Sequence, residues 1–312
     1  MLARMFCLML LGLLLTGCLN KPPVSQHLDF SSRQTNQSDP AFSRVYVDGR
    51  VNIDLRTGYS RPHVVLRGDQ HDIAHVQTYV VDGALFVKLG PHYPNRGNVT
   101  VEIDARKLTI FKYHGVGLIT GRRLFTNSLD LLIDNPGKTT LQGQIGLRQL
   151  RLSGGGYTEI GGIRSRGLFI HLSEKSKVKL AGVINISSID VSHDSFLSMY
   201  WVSSKTLIIR ARDKANIQLA GIVQKLDVEL WGSARFHGRY LRADRAFVKT
   251  HDQSVAEMSA VMRQHTLARD DSDVRFYSIP QMKADFMVNN GAVLDFRDLG
   301  LPFVQEYDEY NK

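Results

Sequence analysis

The chain has 312 residues, with 39 basic against 30 acidic residues and a formal net charge of +9, and it contains two cysteines, Cys7 and Cys18. A positive charge of this size favours anionic partners such as lipids and glycans, but charge alone does not choose between them. Two cysteines are too few for a disulfide-rich scaffold or a cysteine-rich zinc site, so packing has to hold the fold.

The first segment predicted is a signal peptide over residues 1–17, MLARMFCLMLLGLLLTG, in which one basic residue precedes a short apolar run. The run is too short to span a bilayer. Leu15-Thr16-Gly17-Cys18 resembles the lipobox of bacterial lipoprotein precursors, which implies cleavage before Cys18 and lipidation of its thiol. An ordinary secretory signal with a chance cysteine is the alternative. In that family, an aspartate directly after the cysteine is the signal that retains the protein in the inner membrane. This chain has Leu19 at that position, so the resemblance implies an outer-membrane lipoprotein.

Residues 18–41 are predicted to be the lipidated cysteine and a flexible tether. Residues 19–40, LNKPPVSQHLDFSSRQTNQSDP, are rich in Ser, Gln, Asn and Pro and poor in apolar residues. Such a segment cannot bury enough apolar surface to fold. A chain of this length gives a typical reach of about 25 Å, and several acyl chains would make the anchor effectively permanent.

From Arg106 onward the chain repeats a unit of about 19 residues, as in LFIHLSEKSKVKLAG (168–182) and LIIRARDKANIQLAG (207–221). Alternation of apolar and polar residues predicts strands. A unit of two short strands buries its apolar face only by stacking on its neighbours. We therefore predict an all-β fold, a right-handed parallel β-helix or β-solenoid of about ten rungs with an N-terminal β-strand region. An antiparallel sandwich is the alternative, and the regular period speaks against it.

The region before the repeats carries a specific resemblance. Residues 42–90 predict a short strand, a turn with the sequence DG, a second strand, a turn with the sequence GD and then the segment VDGALFVKL. The segments YHGVG (113–117) and SGGG (153–156) follow later in the chain. This order resembles the GIN domain family, described as heads of autotransporter adhesins, although SEKS, SHDS and ARDK replace the family's glycine-rich turns. The resemblance implies a β-solenoid over residues 42–298, in the cell envelope, without a defined chemistry. Residues 299–312 are left as a C-terminal cap or tail.

Two His-Asp pairs, His193-Asp194 and His251-Asp252, invite a catalytic or metal interpretation. They lie three rungs apart, about 14 Å by strand spacing, whereas ligands of one zinc ion lie within about 4 Å of each other. Neighbouring strand residues also point to opposite faces, so His193, Asp194 and Ser195 cannot form a triad. These residue types suit solvent-facing tight turns. We predict no catalytic residue, no metal and no cofactor.

Basic residues gather in the second predicted turn of the units. Together these turns carry twelve basic residues and only two acidic ones, Asp244 and Asp285. Stacked in register, these turns would form a basic edge, and arginine suits bidentate contacts with phosphate or carboxylate. A merely soluble charged surface is the alternative. The bases are Arg122, Arg123, Arg148, Arg164, Arg166, Lys205, Lys225, Arg239, Arg242, Arg245, Arg263 and Lys283. We predict anion binding by Arg122, Arg123, Arg148, Arg164, Arg166, Arg239, Arg242 and Arg245.

Aromatic residues give a second, weaker signal. Simple alternation places Phe111, Phe169 and Phe247 on the outside of their strands. They would form either a platform for stacking sugars or a face that packs against a flanking loop.

These features together predict a non-enzymatic, adhesin-like binding or scaffold protein of the cell envelope, facing either the periplasm or the surface. Its partners would be the membrane, through the lipid anchor, and an anionic glycan or lipopolysaccharide, through the basic edge. An envelope protein partner stays open, and nucleic acid is not expected because an exported protein seldom meets it. The alternatives are an enzyme that acts on polysaccharide and a structural component of an envelope assembly.

Overall fold

The computed structural model describes residues 30–34, 41–277 and 281–297. The predicted signal peptide, Cys18 and the C-terminal cap or tail lie outside the described residues. Among the residues that are described, no helix combines the length and the apolar character needed to cross a membrane.

The N-terminal region consists of short strands and one short helix that already belong to the solenoid. β2 pairs in parallel with both β6 and β8, and β3 pairs in parallel with both β7 and β9. The first turn in the chain is therefore sandwiched between two later ones. The elements are β1 (Phe30–Gln34), β2 (Arg44–Asp48), β3 (Asn52–Thr57), β4 (His63–Asp69), α1 (Gln70–Ala74), β5 (Gln77–Val81), β6 (Ala84–Lys88), β7 (Thr100–Ala105) and β8 (Ile110–His114), with β9 following at Ile119.

β1 lies inside the segment that the sequence predicts to be a flexible tether. It pairs antiparallel with β4 from Phe30 opposite Asp69 to Gln34 opposite Val65. The other edge of β4 is occupied by β7. An edge strand presents unpaired N–H and C=O groups that any backbone can satisfy, and β1 pairs with this edge of β4 through its backbone.

From β9 to β16 each turn of the solenoid is one long, bent strand, and neighbouring turns pair in parallel. The long strands are β9 (Ile119–Asp134), β10 (Lys138–Ser153), β11 (Tyr157–Leu172), β12 (Lys177–Val191), β13 (Phe196–Ala211), β14 (Asn216–Leu230), β15 (Arg235–Thr250) and β16 (Val255–Arg269), followed by β17 (Asp273–Phe276), β18 (Lys283–Asn289) and β19 (Ala292–Asp295). The predicted β-solenoid is confirmed, with about nine turns over the described residues.

The bend within each long strand stands where the sequence predicts a second turn. In β10 to β14 the bend contains one residue of positive φ in each strand, namely Gly143, Gly162, Gly182, Trp201 and Gly221. A Cβ on Gly162 would lie 1.9 Å from the carbonyl oxygen of Gly143, so the rungs approach this closely only without a side chain there. Strand hydrogen bonding continues on both sides of the bend, and the basic residues beyond it lie on strands rather than in loops.

The core runs the length of the column. Alternation in the repeat that begins at residue 168 predicts that Leu168, Ile170 and Leu172 point inward, and these side chains are at most 2% exposed. Each of them contributes about 1.5–3 kcal/mol by burial. The outward assignment of Phe111 is wrong, because its ring is fully buried between Val45 and Leu131 of the neighbouring strands. Phe169 and Phe247 are exposed as predicted.

Candidate anion-binding surface

Four of the predicted basic residues stack in one straight line, which we call the cationic column: Lys225, Arg245, Arg263 and Lys283. Lys225 lies opposite Arg245, Arg245 opposite Arg263, and Arg263 opposite Lys283 in the strand register. Consecutive members are therefore about 4.8 Å apart at the backbone. All four are exposed.

The charge of the cationic column is only partly compensated. Asp285 Oδ2 accepts a hydrogen bond from Arg263 Nη2 at 3.1 Å and lies 3.1 Å from His265 Nδ1. Within the described part of the chain, Lys225, Arg245 and Lys283 have no salt-bridge partner. Two like charges 4 Å apart repel by about 1 kcal/mol even in bulk water, so a polyanion bound along the column would relieve this repulsion.

A groove lies on the first three long strands, β9, β10 and β11, in the part of each strand that follows the bend. We call it the arginine groove. Its volume is about 820 Å³, and its lining residues are Phe125, Thr126, Asn127, Ser128, Gln144, Gly146, Leu147, Arg148, Arg164, Ser165, Arg166, Gly167 and Phe169. The groove thus brings three of the predicted anion-binding arginines together with two exposed aromatic rings.

Arg148 is neutralised within the groove. Its Nε donates to Asp130 Oδ1 at 2.7 Å, and its Nη2 donates to the other carboxylate oxygen. The hydrogen bonds and charge of Asp130 raise the pKa of Arg148 above its ordinary value. This bidentate pair leaves Arg164 and Arg166 as the groove's uncompensated cations among the described residues.

Arg164 and Arg166 are held outward by the residue between them. Ser165 is buried, and its Oγ donates to the carbonyl oxygen of Leu147 at 2.6 Å while accepting from the Leu147 N–H at 3.1 Å. This pair of bonds ties β11 to the rung below it. Because side chains alternate along a strand, an inward Ser165 places both arginines on the solvent side.

The remaining predicted arginines lie outside both surfaces. Arg122 and Arg123 are exposed just after Gly121 on β9. Arg239 stacks over Tyr277, with its guanidinium carbon 4.6 Å from the ring centroid. Arg242 stands in register with Ile222 and Ser259. The eight candidates therefore do not form one continuous edge.

The tight turns that contain the His-Asp pairs make a structural ladder. Asp213 Oδ2 accepts from the backbone N–H of His193 at 2.9 Å, and Asp252 Oδ2 accepts from that of Gly232 at 2.7 Å. Each carboxylate thus ties its turn to the preceding one. No group of three or more metal-binding side chains occurs within the described ranges.

An aromatic row on the N-terminal rungs was not found by sequence reasoning. Tyr79 and Tyr46 both stack on Phe86, with ring centroids 5.1 Å apart in each pair. These strands join in the order β5, β6, β2, so the row cannot be read along the chain. Phe86 therefore has a ring stacked on each of its two faces.

The family model described as putative auto-transporter adhesin, head GIN domain, matches residues 41–185 and 168–280. That description is of an adhesin head and not of an enzyme. No protein with a curated description matches the chain.

Solved structures that resemble the chain have low identity. A putative adhesin from Parabacteroides merdae has 12% identity and a TM-score of 0.44, covering 86% of this chain and 96% of its own. A putative lipid binding protein from Parabacteroides distasonis has 11% identity and a TM-score of 0.43, covering 86% and 97%. A putative adhesin from Bacteroides fragilis has 13% identity and a TM-score of 0.31, with the same coverage. Similarity of this degree says nothing about ligands.

Proposed function

Because the chain belongs to the GIN domain family of putative auto-transporter adhesin heads, we propose that it is an adhesin-like binding protein of the cell envelope that is anchored by lipid on Cys18. In this proposal the protein is an outer-membrane lipoprotein without enzymatic activity. The cationic column binds an anionic glycan or the anionic headgroups of lipopolysaccharide.

The observation that carries the proposal is the register of Lys225, Arg245, Arg263 and Lys283 on consecutive rungs. A rigid sheet holds these cations in a line with a constant spacing, so little side-chain positioning remains to be done when a linear polyanion binds. Exposed charges of this kind attract ligands over a distance set by the Debye length, about 8–10 Å in ordinary buffers. Binding should therefore be strong at low salt and weak at high salt.

Co-sedimentation of the mature chain carrying Cys18→Ser with lipopolysaccharide vesicles and peptidoglycan sacculi, at low and high salt, tests this proposal. We expect salt-sensitive pelleting with one of the two. Arg245→Glu should weaken it by about tenfold or more, which corresponds to about 1.4 kcal/mol. Arg235→Glu is the matched control, since Arg235 is exposed at the start of the same strand, before the bend, and does not belong to the cationic column.

Arg245→Glu should also stabilise the fold while it weakens binding. A glutamate between Lys225 and Arg263 replaces two repulsive cross-strand pairs by two attractive ones, each of about 0.2–1 kcal/mol. Urea unfolding at low salt measures the free energy. Loss of both binding and stability would indicate a structural defect, and equal loss of binding in Arg235→Glu would count against the cationic column.

The anchor is tested separately, in cells. Cys18→Ser removes the only thiol that the lipobox resemblance offers for acylation, so the protein should move from the membrane fraction to the soluble fraction. Detergent partitioning measures this. Continued partitioning into detergent would contradict lipidation at Cys18.

A further inference from the structure

We propose that the arginine groove is a carbohydrate subsite that takes an acidic sugar unit, one whose pyranose ring carries a carboxylate. This inference rests on the proposed glycan-binding function and narrows it to a ligand class. It is carried by residues that differ from those of the cationic column.

The cations of the groove suit a carboxylate. Arg164 and Arg166 lie two residues apart on the outer side of β11, with their Cα atoms about 6.6 Å apart. Both are exposed, and none of the described residues that line the groove is acidic. The planar guanidinium group donates two parallel hydrogen bonds to a carboxylate. Arg148 already donates two such hydrogen bonds to the carboxylate of Asp130 on the neighbouring strand.

The aromatic rings suit the body of a sugar. Phe125 is 56% exposed and Phe169 is 52% exposed. The neighbours of Phe169 in the sheet are Gln149 and Ser188, so no ring from an adjacent strand covers its faces, whereas Phe247 stacks on His265 at 5.0 Å. The C–H groups of a pyranose ring pack against the negative face of an aromatic ring.

The remaining lining offers neutral hydrogen-bonding groups and an open floor. Asn127, Ser128 and Gln144 supply donors and acceptors that match sugar hydroxyl groups. Gly146 forms part of the floor, and a Cβ there would lie 2.2 Å from the carbonyl oxygen of Asn127, so no side chain fills the groove at this point. The volume of about 820 Å³ falls in the range of about 300–1,000 Å³ that is usual for ligand sites.

Isothermal titration of the mature chain carrying Cys18→Ser, with digalacturonate as the probe and neutral maltose as the comparison, tests the subsite. We expect digalacturonate to bind at least tenfold more tightly than maltose. Arg164→Gln with Arg166→Gln should weaken digalacturonate binding at least tenfold, and so should Phe125→Ala with Phe169→Ala, which leaves the charge unchanged. All four side chains are exposed, so both double variants should keep the parent's urea unfolding midpoint.

Arg245→Gln is the matched control, because it removes one charge from the cationic column and leaves the groove intact. Its affinity for digalacturonate should stay within twofold of the parent. An equal loss in Arg245→Gln and in the groove arginine variant would mean general polyanion attraction and would overturn the subsite. Undiminished binding in the phenylalanine variant would overturn it as well.

A lipid surface is distinguished in the same experiment by anionic phosphatidylglycerol vesicles. Vesicle binding that depends on Phe125 and Phe169, without digalacturonate binding, would overturn the sugar assignment in favour of membrane insertion. None of these results decides the function of the cationic column. That function fails if pelleting with lipopolysaccharide and sacculi is absent, if it is insensitive to Arg245→Glu, or if Arg235→Glu weakens it equally.

Discussion

At the residue scale, Tyr113 shows how the core accommodates a polar atom. Its side chain is fully buried, and its hydroxyl donates to the carbonyl oxygen of Val51 at 2.9 Å. Burial raises the pKa of Tyr113 from 10.0 to about 12, because the phenolate would lose its hydration. The neutral tyrosine is therefore part of what holds β8 against the first turn of the solenoid.

The raised pKa of Tyr113 makes stability depend on pH in a defined window. In the unfolded chain the phenol ionises near pH 10, whereas in the folded chain it stays neutral until about pH 12. The stabilising contribution is complete below pH 10 and is lost as the pH rises toward 12, at about 1.4 kcal/mol for each pH unit.

Tyr113→Phe should be less stable than the parent at pH 8 by about 0.5–1.5 kcal/mol, since the hydrogen bond is removed. Because phenylalanine does not ionise, the variant should lose less stability than the parent between pH 10 and 12. Urea unfolding across this range measures both effects. Parallel curves for the two proteins would contradict the assignment of the raised pKa to Tyr113.

At the element scale, the bend of each strand from β10 to β14 contains a residue of positive φ. Gly162 adopts φ +75° and stacks on Gly143 of the preceding rung. Its neighbour Gly161 has open space, since a Cβ there would meet nothing closer than Gln142 Cγ at 3.8 Å. Two adjacent glycines of one strand thus differ in whether a side chain can be added.

Gly162→Ala should destabilise the fold by about 3 kcal/mol or more, because the methyl group clashes with the backbone and strains φ. Gly161→Ala is the matched control and should change the free energy of unfolding by less than about 1 kcal/mol. Thermal and urea unfolding measure both. A similar small loss in the two variants would show that the rungs can separate at the bend.

At the scale of the whole molecule, the solenoid is a stack in which each turn pairs mainly with its two neighbours. Lys177 lies opposite Phe196, and Phe196 lies opposite Asn216. Removing residues 196–215 would place Asn216 directly above Lys177 and keep every later turn in register. Stability in such proteins is approximately a sum over turns and their interfaces.

The deletion of residues 196–215 should therefore fold, with a strand-type circular dichroism spectrum and a urea m-value that is lower in proportion to the buried surface removed. Deletion of residues 196–205 is the control, because removing half a turn brings the tight turn after Ala211 against the middle of β12, so that every later turn loses its register. If the full-turn deletion fails to fold, as the half-turn deletion does, the turns do not stack independently.

The all-β class, the stacked period near 19 residues and most of the inward side chains follow from the sequence alone, because alternation and repeat length are local properties of the chain. Phe111 escaped this reasoning because the phase of a single short strand such as β8 is set by its neighbours, Val45 and Leu131, which are distant in the chain.

The tertiary structure decided how the basic residues are grouped. Register shifts near the bends determine which cations meet, so Lys225, Arg245, Arg263 and Lys283 align while Arg122 and Arg242 stand apart from them. The arginine groove draws on three rungs, and Asp130 removes the charge of Arg148 from it. A repeat specifies that turns stack, but the charge and shape of a surface depend on contacts between rungs that no single turn contains.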